Sequence, residues 1–160
     1  MKGSRRTISP AAMLIALAAI IVPGCGGDSG TPPVSGDLER MAGSWQGTEF
    51  RLTSQQAPIR TFELIGAGGS FRLDIQASGR YAATLTLGGE IGVESGRFEL
   101  SGNQFTQTPT NPPGPPVTGT WAMATDNSLT LAGTIEFDFD PADNTDNPEP
   151  ATALIVMVRR

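Results

Sequence analysis

From Gly43 onward, hydrophobic and polar residues alternate along the chain. Phe71, Leu73 and Ile75 are interleaved with Arg72, Asp74 and Gln76, and Tyr81, Ala83, Leu85 and Leu87 with Ala82, Thr84 and Thr86. Ile91 and Val93 alternate with Gly92 and Glu94, and Phe98 and Leu100 with Arg97 and Glu99. Leu129, Leu131, Ile135 and Phe137 share one parity, with Thr130, Ala132, Thr134 and Glu136 on the other. A period of two is the signature of a strand with one buried and one wet face. Turn-forming pairs separate these runs: Ser78-Gly79, Gly88-Gly89, Ser95-Gly96, Ser101-Gly102-Asn103 and Asp126-Asn127. The spacing predicts antiparallel hairpins in a meander. The expected strands are 44–53, 61–65, 70–76, 81–87, 90–94, 97–100, 104–108, 117–123, 128–137 and 151–159. Pro109 to Pro116 is expected to be a stiff loop, because proline lacks the ladder donor.

No amphipathic helix of useful length follows residue 42, so nothing is available to cover an open sheet. One-sided strands must then bury their apolar faces against one another. A sandwich or a closed barrel does this, and closure also removes exposed sheet edges.

The first forty residues follow a different pattern. Lys2, Arg5 and Arg6 give a basic start, Ala11 to Val22 is an unbroken apolar run, and small residues lead to Cys25. A basic region, a short apolar region and a small residue at the cut are the parts of a secretory signal. A membrane span needs about 20 apolar residues, more than this run supplies. Val22-Pro23-Gly24-Cys25 resembles the lipobox of bacterial lipoproteins. That resemblance implies cleavage before Cys25 and acylation of its thiol with chains such as palmitate. Several acyl chains hold a protein stably on a bilayer. It also implies export and a lipid-anchored place in the cell envelope, with the outer membrane favoured in a Gram-negative cell because Gly26, not Asp, follows the cysteine. Gly26 to Gly36 is nearly all Gly, Ser, Pro and Thr and buries nothing, so it is expected to be a disordered tether. Asp37 to Ala42 suits a single helical turn with Asp37 as its N-cap. The expected organisation is a signal-peptide helix at 1–24, a lipidated cysteine and tether at 25–36, and one domain at 37–160.

Composition narrows the chemistry. The chain holds 11 basic and 16 acidic residues, and loss of Lys2, Arg5 and Arg6 with the signal takes the net charge from −5 to about −8. An acidic surface argues against nucleic acid as a partner. Histidine is absent and Cys25 is the only cysteine. That removes Ser-His-Asp and Cys-His sites and zinc sites built on His or Cys, so a non-enzymatic protein without a cofactor is expected.

Met41-Ala42-Gly43-Ser44-Trp45 resembles the G-x-W opening of lipocalins and bacterial lipocalin-like, calycin-type domains. The segments Ser78-Gly79-Arg80-Tyr81 and Ser95-Gly96-Arg97-Phe98 through Gly102-Asn103 are similar to the hairpins of those domains, and the strand ending in Arg159-Arg160 is similar to their closing strand. The resemblance implies an all-β, antiparallel up-and-down β-barrel of about eight to ten strands. It also implies that Arg159 lies over Trp45 and closes the barrel floor. Such a barrel is either filled by its own side chains or holds one small ligand. Trp45, Phe71, Tyr81, Phe98, Phe105, Trp121 and Phe137 are the candidates to line a cavity or simply to form the core. Trp45, Tyr81 and Trp121 are the candidate ligand contacts, the last two because each offers a polar handle in an apolar wall. A ligand would be small and partly apolar; the competing reading is a filled barrel that touches other envelope components through its loops.

One further stretch, Glu136 to Glu149, is rich in carboxylates. Asp138, Asp140, Asp146 and Glu149 fall at positions 1, 3, 9 and 12 of an EF-hand count, but Ala142 and Asp143 break the pattern at a ligand position and at the turn glycine. Calcium on these four residues is one reading; a solvated hairpin loop is the other.

Overall fold

The computed structural model describes residues 36–140 and 147–160. A short helix, α1 (Gly36–Met41), leads into β1 (Gly43–Ser54) and β2 (Thr61–Glu63). There follow β3 (Ser70–Ile75), β4 (Arg80–Leu87), β5 (Glu90–Ser101), β6 (Gln104–Asn111), β7 (Val117–Thr125), β8 (Ser128–Phe137) and β9 (Glu149–Arg159). Cys25, the segment 1–24, the tether up to residue 35, and Asp146 lie outside the described residues.

From β3 to β9 each strand pairs antiparallel with the next, and β9 returns to β1. Closure runs along almost the whole of β1, from Trp45↔Arg159 to Ser54↔Ala151, with a bulge between Gly47 and Glu49. On its other edge β1 serves two neighbours. Gly43–Gln46 pairs with β3 and Arg51–Thr53 with β2. The result is a closed antiparallel barrel of eight strands with β2 added beside β1.

The period-two reading located most strands to within a residue or two, because each buries one face. Two segments differ. Ser95-Gly96 is not a turn; β5 runs unbroken through it, with a bulge against β6 at that point. The prolyl segment also starts later than expected, since β6 continues through Pro109 to Asn111. Proline is tolerated there because β6 has no β7 partner beyond Gln107, and Pro109 sits at the β5 bulge.

The interior is not uniform along the barrel axis. Near the α1 end Met41, Trp45, Phe98, Leu129 and Met157 are fully buried. Phe98 stacks on Phe105 with ring centroids 5.0 Å apart, and Tyr81 meets Phe98 edge-on at 6.4 Å. Phe105 lies across from Gly119 of β7, where a Cβ would come within 2.7 Å of its ring. Glycine at that position makes room for the aromatic stack. Farther along the axis the small inward residues Ala83, Gly133 and Ala153 stand among Phe50, Phe71, Leu85 and Leu131, and a hollow lies between them.

Candidate functional site

The closed end is built from the β1–β9 register. Cross-strand partners share a face, so pairing Trp45 with Arg159 puts both side chains on the inner side. The Arg159 guanidinium carbon lies 4.4 Å from the Trp45 ring centroid. Its Nη1 donates to the Ala42 carbonyl at 2.7 Å, Nη2 to that of Arg40 at 2.6 Å, and Nε to that of Asp126 at 2.8 Å. Trp45 Nε1 donates to the Met41 carbonyl at 2.8 Å. The carbonyls of Arg40, Met41 and Ala42 belong to the end of α1 and the residue after it, where backbone acceptors lack partners within the helix, and that of Asp126 to the turn between β7 and β8. Arginine and tryptophan thus hold the helix end across the barrel floor, and a cation suits the negative end of the helix dipole.

Above this floor is a cavity of about 130 Å³. Its apolar wall includes Phe50, Phe71, Leu73, Leu85, Phe105 and Leu131. Phe50 and Phe71 meet edge-on at 5.3 Å. The wall extends to Pro115, Val117 and Glu136 at the rim where β6 and β7 part. An apolar cavity of roughly 150 Å³ takes a benzene-sized guest, so this space suits a molecule of about one ring.

The base of the cavity is polar. Glu94 of β5 is only 2% exposed. Tyr81 donates its hydroxyl proton to Glu94 Oε1 at 2.5 Å, and Gln107 Nε2 donates to the same oxygen at 2.7 Å and to the Tyr81 oxygen at 3.1 Å. Three strands supply the three side chains, each from an inward position of β4, β5 or β6. Glu94 and Gln107 belong to the cavity wall, while Tyr81 stands behind them.

Burial pushes the Tyr81 hydroxyl well above its ordinary 10.0, and the hydrogen bond to Glu94 and that group's charge push it further; Gln107 opposes this weakly. The folded state therefore keeps Tyr81 protonated where the unfolded chain would ionise. The stabilising contribution is complete below pH ~10 and is lost progressively as pH rises above it. Tyr81 is the only tyrosine of the chain, so phenolate absorbance reports it alone. The native protein is expected to show no phenolate signal above pH 10 until it unfolds, and a native-state titration midpoint near 10 would contradict the buried hydrogen bond.

Sequence reasoning missed Glu94, since alternation assigned Ile91 and Val93 to the core and Gly92 and Glu94 to solvent. The faces are reversed: Ile91 is 67% and Val93 59% exposed. A signal for this was present. A two-residue turn at Gly88-Gly89 pairs Leu87 with Glu90 and hence Ala83 with Glu94. Both glycines have positive φ, 61° and 86°, as such a turn requires. With Ala83 inward, Glu94 must follow.

The three candidate ligand contacts are not brought together. Trp45 is fully buried in the floor, and Trp121 is half-buried with Nε1 donating to the Gly102 carbonyl at 2.9 Å, at the β5–β6 turn. Neither belongs to the cavity wall, and Tyr81 reaches it only through Glu94 and Gln107. Of the residues considered for calcium, Asp138 accepts the Asp140 amide at 2.9 Å in a local turn. Glu149 is 8% exposed and pairs with Arg60 at 2.6 Å. Among the described residues no three ligating side chains converge.

No family model and no curated protein matches the chain. Solved structures do resemble it. A redesigned β-barrel aligns over 77% of this chain and 93% of its own, at 12% identity and a TM-score of 0.40. A de novo designed fluorescence-activating β-barrel covers 77% and 96%, at 12% identity and a TM-score of 0.39. EF1p2_mFAP2b bound to DFHBI covers 79% and 98%, at 13% identity and a TM-score of 0.46. The barrel assignment rests on the strand register itself rather than on these distant likenesses.

Proposed function

We propose that this protein is a lipid-anchored component of the cell envelope whose barrel takes up one small, mainly apolar molecule without transforming it. The observation that carries the reading is the division of the interior. A floor packed by Trp45, Phe98, Leu129 and Met157 lies beneath a cavity of about 130 Å³ walled by apolar side chains. A purely structural barrel has no use for such a void, because the empty space forfeits packing. The lipobox-like Val22-Pro23-Gly24-Cys25 supports the anchor, and acyl chains there would supply the membrane attachment that an acidic domain does not. The absence of histidine and of a second thiol from the sequence supports a binding role over a catalytic one.

Two measurements test the parts separately. Cells expressing the full chain in labelled palmitate are expected to incorporate label, and Cys25→Ser to abolish it; equal labelling of both would remove the anchor. Native mass spectrometry of the protein released from its own membranes is expected to show a bound small molecule. A protein that is ligand-free as isolated and takes up no toluene when challenged would remove the binding reading.

A further inference from the structure

We propose that the cavity selects a molecule carrying a positively charged amino group on an apolar body, and that Glu94 is the residue that holds it. This deepens the binding reading above and rests on it. The argument starts from which hydrogen-bonding capacity at the cavity base is already used. Tyr81 has one hydroxyl proton, and it goes to Glu94 Oε1. Gln107 spends its amide donor on the same oxygen and on Tyr81. The donors of the cluster therefore point into the cluster. What remains toward the cavity is acceptor: Glu94 Oε2, which receives no hydrogen bond from the described residues, and the Gln107 amide oxygen.

Charge points the same way. Among the described residues, Glu94 and Glu136 are the only ionisable ones of the cavity wall. Glu136 has the outward parity of β8 and belongs to the rim, so the deep charge is Glu94 alone. No arginine pairs with Glu94 in any ion pair among the described residues, in contrast with Glu149, which has Arg60. A buried carboxylate is ordinarily paired with a cation. Here the place where that cation would stand is the cavity, and Phe50, Phe71 and Phe105 supply aromatic faces around it. An anion or a pure acceptor would meet carboxylate and amide oxygens with no donor to receive it.

The test compares three probes of one shape on the full chain in lipid nanodiscs, with empty nanodiscs as the blank: benzylamine, benzyl alcohol and toluene. Isothermal titration calorimetry at neutral pH is expected to show benzylamine binding at least about tenfold more tightly than either neutral probe. In Glu94→Gln that preference is expected to fall to within about threefold, with toluene binding retained as the sign of an intact cavity. Benzyl alcohol binding as tightly as benzylamine would overturn the requirement for charge. A preference for benzylamine that survives in Glu94→Gln would overturn the role of Glu94. If toluene binds and benzylamine gains nothing, the inference fails while the binding reading stands; if no probe binds, both fail. The wild-type ranking decides the selectivity even if Glu94→Gln does not fold.

Discussion

Trp45→Ala is expected to destabilise the barrel by about 3–5 kcal/mol, the range for emptying a fully buried aromatic site. Trp45 has no exposed surface, so the whole side chain is lost from the core with little prospect of collapse around it. Two further losses follow. The Met41 carbonyl forfeits its donor, and Arg159 forfeits the ring beneath its guanidinium. The helix end then loses one of its ties and keeps Arg159 and the exposed Arg40–Asp126 pair. Domains of this size are stable by only about 5–15 kcal/mol, so the variant is expected to melt about 10–20 °C lower. Trp45→Phe keeps most of the ring and is expected to lose far less. Urea unfolding of the three proteins measures this, and a Trp45→Ala cost below about 1 kcal/mol would mean that the floor does not carry the fold.

Filling the cavity is expected to have the opposite profile, a large effect on binding with none on folding. Ala153 lies inside the wall, opposite Leu52 of β1 and Gly133 of β8, and Ala83 lies opposite Leu73 and Glu94. Leucine at both positions would occupy much of the void with apolar atoms. Toluene affinity is expected to fall by more than about tenfold, while stability holds or rises by about 0.5–2 kcal/mol, as cavity-filling substitutions commonly do. Calorimetry and thermal melts on Ala83→Leu/Ala153→Leu read the two quantities independently. Undiminished toluene binding in this variant would place the ligand somewhere other than the barrel interior.

The contrast between these two variants follows from how completely the inner face is filled at each level. Large residues meet and fill the barrel near α1, whereas farther along Ala83, Gly133 and Ala153 leave space between Phe50, Phe71 and Leu85. The small positions were readable in principle, since Ala83, Gly133 and Ala153 occupy inward parities on three strands. They were not readable as a cavity, because alternation says that a position faces inward and says nothing about the level at which strands from distant parts of the chain meet. Trp45 and Trp121 were attractive as ligand contacts on side-chain chemistry alone. Their positions show why that was insufficient: one packs into the floor and the other caps the β5–β6 turn.

Glu94 makes the point most sharply. Counting apolar residues put it in water, because Ile91 and Val93 are more hydrophobic than Gly92 and Glu94. Pairing with β4 outweighs that preference. Opposed residues of two hydrogen-bonded strands must share a face, and Tyr81, Ala83 and Leu85 bring Gly96, Glu94 and Gly92 inward with them. The cost of exposing two β-branched side chains is accepted to keep a continuous strand across the bulge at Ser95-Gly96.

By itself the sequence determined the class of the fold. Period-two alternation, the turn pairs between the runs and the lack of a covering helix leave mutually buried strands as the way to remove that apolar surface from water. It also determined what chemistry is absent, since no arrangement in space can supply a histidine or a second thiol. Arg159 over Trp45 at the closure of β1 on β9 was expected from the resemblance to lipocalins and is what the register shows; tertiary structure alone decided that the interior is solid at one end and hollow farther along, and that a carboxylate stands at the base of the hollow. Each of these depends on register between segments far apart in the chain. Register is set by many weak pairings acting together, and no local stretch of residues records it.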